Sequence, residues 1–230
     1  MKKNNTGSLI IRLVKERALV KQEVQEAVPH LFNELKLSIS DVTAAIKTKT
    51  EKFEKKVPVE IEEKSEFQVN LRIGEDVLIF VLHSNIFSFD SDHHLWKTSY
   101  LEEDPARSFC SMIYVYNFLH DSFRYNRIND TGYLIARIFI NKERHFFVEG
   151  KRQLGMLYND FSNAIADRAS LAKVVESAIL YALDFDIFVP PYEEVKQISV
   201  QEMQDITVNM RIKTAKRMGF QFRIDENRIE

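Results

Sequence analysis

One cysteine, Cys110, is all the thiol chemistry available in 230 residues. A lone cysteine excludes an internal disulfide framework and any zinc site built from several cysteines of one chain. It lies in an apolar stretch that is expected to raise its pKa, which argues against a nucleophilic role. Glycine is scarce as well. The six glycines, at positions 7, 74, 132, 150, 155 and 219, have none of the spacings that a dinucleotide-binding or Walker-type phosphate loop requires. The Gly-x-Ser-x-Gly elbow of serine hydrolases is missing too. No apolar run approaches the roughly 18 residues of a membrane span. The early run Leu9-Ile10-Ile11 is cut short by Arg12, too soon for the apolar region of an export signal. Neither sign of charge dominates: 32 basic residues face 34 acidic ones, a net charge of −2. The electrostatic footprint of a nucleic-acid binder is therefore lacking. Arg211, Lys213, Lys216 and Arg217 crowd one end of the chain, where a solvated helix face with a basic last turn is the expectation. No repeat at solenoid or propeller period occurs. The expectation is a cytoplasmic chain with neither a nucleic-acid nor a membrane partner.

What is present is patterned. Over residues 8–53 the apolar positions Ile10, Leu13, Val20, Val24, Ala27 and Leu31 step at helical intervals. Pro29 is expected to break or kink this stretch, and Ser40 to cap a further helix over 41–51. The charged run 47–56 marks the best boundary, dividing a helical segment 1–56 from a sheet domain 57–230. Beyond it the period changes to two: Val57, Val59 and Ile61, then Phe67, Val69, Leu71 and Ile73, alternate with polar residues as in half-buried strands. After a turn at Gly74-Glu75-Asp76, residues 77–82 are apolar throughout, as in a central strand covered on both faces. Short strands are expected at 86–89 and 95–100. Residues 107–123 fit helical spacing as well, but the β-formers Tyr114, Val115 and Tyr116 favour a strand. Residues 133–140 and 145–149 read as a hairpin. Helical spacing returns from Leu154 through Leu157, Phe161 and Ile165, and again over 171–182, ending before Pro190-Pro191. Ser199-Val200-Gln201-Glu202 is a capping box for a last helix that Gly219 should end, and the tail around Phe220 alternates like an edge strand. Helices, then six or more strands, then helices, predict an α+β fold around an antiparallel sheet.

Candidate sites are dispersed. Asp90, Asp92, His93 and His94 concentrate carboxylate and imidazole groups of the kind that bind zinc, manganese or iron, although solvated loops collect the same residues. A nuclease-like alternative places Glu149 and Lys151, after a strand, with one of these aspartates on a divalent metal. Since Glu-x-Lys also occurs at Glu34, Glu54, Glu62 and Glu194, the motif is weakly specific. His120-Asp121 resembles the pair of metal phosphohydrolases, but its surroundings read as strand without the helical ligands such sites need. Arg137 interrupts an apolar strand, as does Asn117. If Arg137 shares a face with Tyr114, Tyr116, His120 and Tyr133, it forms an aromatic-walled anion site. The missing catalytic motifs favour a non-enzymatic binding or protein-interaction module, with a protein partner or self-association through its N-terminal helices. The alternative is a metal-dependent phosphodiester hydrolase, and only that alternative implies a cofactor, a divalent metal.

Overall fold

The computed structural model describes residues 6–186 and 192–209. Six strands form one sheet in the sequential order β1-β2-β3-β4-β5-β6, and every neighbouring pair is antiparallel. Before the sheet come α1 (Thr6–Leu13), a π-helical segment (Val14–Leu19) and α2 (Val20–Thr50). The strands are β1 (Val59–Ser65), β2 (Gln68–Ile73), β3 (Asp76–Leu82), β4 (Cys110–Leu119), β5 (Tyr133–Asn141) and β6 (Phe146–Gly150). Short helices α3 (Ser99–Glu103) and α4 (His120–Arg124) flank β4; α5 (Gln153–Leu157), α6 (Arg168–Leu183), α7 (Tyr192–Val195) and α8 (Val200–Asn209) follow the sheet. This is the α+β arrangement that the patterning predicts.

The helical break expected at Pro29 does not occur. Backbone at both ends of the π-helical segment stays right-handed helical, and Pro29 lies exposed inside α2. A proline here removes one hydrogen bond and costs about 3 kcal/mol. The stripe Val24, Val28, Leu31, Leu35, Ile39 and Val42 is buried against the sheet and α6, and this packing outweighs the local penalty. Ser40 accordingly sits mid-helix and does not cap a new one. Asp41, beside it, accepts two hydrogen bonds from the Arg168 guanidinium at 2.5 and 2.7 Å, while Ser38 Oγ donates to the Arg168 carbonyl. α2 and α6 are thus clamped as a pair over one face of the sheet.

Residues 107–123 resolve in favour of the strand, followed at once by the single helical turn α4. β3 is buried along almost its whole length, as its unbroken apolar run predicts. Three expectations fail. Residues 86–89 make only one bridge, Phe87 to Cys110; residues 94–103 form a 3-10 turn and α3 where a strand was expected; and the helix at Leu154 stops at Leu157. Phe161 and Ile165 instead belong to an irregular segment that runs along β6. The Val148 amide donates to the Tyr158 carbonyl and the Phe146 amide to that of Ala164, so backbone pairing replaces a helix there. Gly155 permits the turn into this segment, since a Cβ there would lie 2.5 Å from the Gly150 carbonyl oxygen. α8 begins directly after Ser199, where the capping box places it; Pro190-Pro191, Gly219, the tail around Phe220 and the basic residues from Arg211 onward lie outside the described residues.

Candidate functional site

Strand alternation sorts side chains onto two faces. Leu71, Leu78, Phe80, Ile113, Val115 and Ile138 point to the α2–α6 side and form the main core. The opposite face is divided. Over one half of it, the connection between β3 and β4 folds down as a lid of aromatic residues: Phe89 meets Phe139, Phe147 and Phe161 edge-on, with ring centroids 5.7, 5.4 and 6.0 Å apart. Cys110 and Met112 are sealed beneath it, and burial pushes the Cys110 thiol pKa well up.

A polar network pins this lid to the β5–β6 hairpin. Asn141, fully buried, donates to the Tyr100 hydroxyl at 2.9 Å, and its Oδ1 accepts from the amides of Glu143 and His145. Tyr100 donates to Glu143, and Glu143 also receives Arg107, whose guanidinium lies 4.4 Å above the Tyr100 ring. His145 stacks on the other side of the network, its ring 4.7 Å from that of Tyr100. Burial, ahead of the hydrogen bonds, raises the Tyr100 pKa, so the phenol stays protonated and able to donate.

The other half of the face has no such cover. At its edge lies a groove of about 320 Å3 between β1–β3 and α4. Register pairs Glu60 with Arg72 and Glu62 with Asn70 across β1 and β2. The Glu60–Arg72 ion pair spans 3.3 Å, and Arg72 Nε also donates to the Gly74 carbonyl. Gln68 donates to Asn70 along the floor. α4 supplies the wall with His120 and the half-exposed Phe123. Burial first, and then the charge of Arg72, lower the His120 pKa, which keeps the imidazole neutral. The hairpin register, which sequence alternation alone does not fix, is what brings these side chains together.

Beyond the groove, the same face of the sheet carries residues singled out in the sequence. Asn70 pairs with Ile79, Ile79 with Tyr116, and Tyr116 with Leu134, in a row across the sheet. Tyr114 stands opposite Arg137, and its ring lies 5.6 Å from that of Tyr116. Arg137 is held by Glu149, its partner on β6, and stacks over Phe139. Tyr133 does not join this group. A bulge at Ile135 shifts the register, so that Tyr133 pairs with Asn117 on the helix-facing side. The Tyr133 hydroxyl and Asn117 Oδ1 are both buried without a hydrogen-bond partner among the described residues. His120 belongs to the groove and is a neighbour of Arg72, away from Arg137. The expected set is thus divided among three places.

The acidic loop is arranged as a turn. Asp90, Asp92 and His94 are exposed. The Asp90 carbonyl accepts from the His93 amide and from Trp96 Nε1. His93 stacks between Phe89 and His94, at 4.8 and 4.5 Å, and its Nδ1 accepts from the Leu95 amide. Burial and then the neighbouring His94 lower the His93 pKa, against the opposing pull of Glu149 and Asp90. Glu149 is engaged with Arg137, while Lys151 is exposed just beyond the end of β6. Among the described residues no three His, Cys, Asp or Glu side chains converge to hold a metal ion. His120 and Asp121 open the helical turn α4, where Asp121 faces Arg127.

The chain matches no protein-family model, and comparison with curated proteins and with solved structures finds no match. No described helix is long and apolar enough to cross a membrane.

Proposed function

We propose that this chain is a non-enzymatic binding protein whose ligand lies along the uncovered half of the sheet. The observation that carries this reading is the groove lined by Glu60, Arg72, Asn70 and His120, with Tyr116 and Arg137 on the same face of the neighbouring strands. Its lining alternates acids, bases and amides over an apolar base. Such a surface complements a polar ligand that offers both donors and acceptors, such as an extended peptide segment. A cytoplasmic location accords with the lone, buried Cys110. Metal-dependent phosphodiester hydrolysis receives less support, because the carboxylates and imidazoles it needs are not gathered and Glu149 is already paired with a cation.

Native mass spectrometry of the untagged protein against its denatured mass is the direct test. An organic or peptide adduct that disappears in Arg72→Ala with His120→Ala supports the binding reading. A metal-ion mass lost in Asp92→Ala with His93→Ala, accompanied by phosphodiester turnover, overturns it in favour of the hydrolase.

A further inference from the structure

The first helical turns stand apart from everything described above. Neither α1 nor the π-helical segment after it buries a single residue, although Leu9, Ile10, Ile11, Leu13 and Val14 are each 41–59% exposed. At about 100° per residue these five side chains fan across roughly 200° of the α1 circumference. Ser8, Arg12 and Lys15 lie on the remaining arc of about 160°. The π-helical segment inserts about one residue into the helical register, which turns this fan away from the Val20, Val24, Val28 stripe that α2 buries in the core. The arm is therefore not a continuation of the core-facing seam.

We infer that this arm is an interfacial anchor for an anionic lipid surface. Two observations select that occupant. The fan is broader than the roughly 100° stripe typical of a helix packed on a core, and an apolar face beside a basic one suits a helix lying in the boundary between headgroups and acyl chains. Charge supplies the sign: residues 1–21 hold Lys2, Lys3, Arg12, Lys15, Arg17 and Lys21 against the single acid Glu16, in a chain whose net charge is −2. Two such arms repel one another, and an anionic surface attracts each of them. The acids Glu23 and Glu26 begin where α2 turns its apolar stripe into the core. Interfacial binding needs no spanning helix, so the lack of one is no obstacle.

The test is co-sedimentation of the full chain with vesicles of mixed phosphatidylglycerol and phosphatidylcholine, compared with phosphatidylcholine alone. Pelleting on the anionic vesicles, at least tenfold weaker on neutral ones and reduced by salt, is expected. Ile10→Asp with Leu13→Asp should abolish it while leaving the melting temperature unchanged, because the arm buries nothing. Arg12→Gln and Lys15→Gln should each weaken it by about fivefold. Absence of pelleting on anionic vesicles, or equal pelleting of the double Asp variant, overturns the inference. So does an oligomer in vesicle-free sedimentation that the same variant dissolves, which would assign the arm to a second copy of the chain.

Discussion

The two faces of the sheet are made by alternate residues of the same strands, and they have been put to different uses. On the α2–α6 side every strand contributes aliphatic side chains to one dry core. On the other side, β4 to β6 carry an aromatic layer sealed by the β3–β4 connection, while β1 and β2 line the groove with Glu60, Glu62, Gln68, Arg72 and the buried Asn70. The central strand records the contrast: within β4, Val115 is fully buried, and Tyr114 and Tyr116, its neighbours on either side, are half-buried. One face is specified by volume, which admits few alternatives. The other is specified by paired polar groups that can exchange partners with a ligand.

That contrast fixes the ranking of mutational effects. Leu35→Ala empties a fully buried site under the helix-covered face and should cost about 2–5 kcal/mol in chemical denaturation. A loss below about 1 kcal/mol would mean that α2 does not seal the core. Pro29→Ala should move stability the other way, by up to about 3 kcal/mol, because it restores a helix hydrogen bond at an exposed site. Asn141→Ala should cost about 2–3 kcal/mol by leaving the Tyr100 hydroxyl and two hairpin amides without their partner. It should also loosen the aromatic lid, read as faster hydrogen exchange in residues 86–108 with little change in α2.

The architecture was legible where side-chain period alone decides it. Alternation over 57–73, the apolar run of β3 and the hairpin of β5 and β6 give an antiparallel sheet with helices at either end, whereas the sequential order of its six strands is known only from their pairing in the structure. Local propensity misled where distant packing wins, as at Pro29, which the core overrides. It misled again at Leu154, where backbone pairing with β6 takes the place of a helix. The candidate site was less legible. Arg137, Tyr114 and Tyr116 share a face as supposed, but the bulge at Ile135 removes Tyr133, and α4 carries His120 to another groove. The groove depends on the pairing of Glu60 with Arg72, twelve residues apart. A tight turn at Glu66-Phe67 sets Ser65 opposite Gln68 and by itself would place Glu60 opposite Ile73; the β-bulge between Glu63 and Ser65 moves the register by one residue and brings Arg72 to Glu60, a shift that alternation does not reveal.

Acid should also distinguish the two faces. The His93 and His120 pKa values lie below the ordinary 6.5, chiefly through burial. The unfolded chain therefore takes up protons that the folded chain refuses. Their contribution to stability is fully present above pH 6.5 and is lost as the pH falls through the lowered folded values. The urea midpoint should drop between pH 7.5 and 5.0, and less so in His93→Gln with His120→Gln. An unchanged slope in that variant would move the acid sensitivity elsewhere in the molecule.

The smallest effect on stability is expected where the consequence for binding is greatest. Arg72 and Glu60 form a solvent-facing cross-strand pair, and such pairs contribute about 0–1 kcal/mol. Arg72→Ala should therefore leave the denaturation midpoint within that range, while Val115→Ala, two strands away on the dry face, costs more. If Arg72→Ala instead destabilises by more than about 2 kcal/mol, the side chains of the groove are a structural brace and not groups free to exchange partners. The two faces would then differ in chemistry alone, and the binding reading would lose its basis. A near-neutral Arg72→Ala that also abolishes adduct formation would separate the two roles: packing on the helix side maintains the fold, and the uncovered strands hold polar groups available to a ligand.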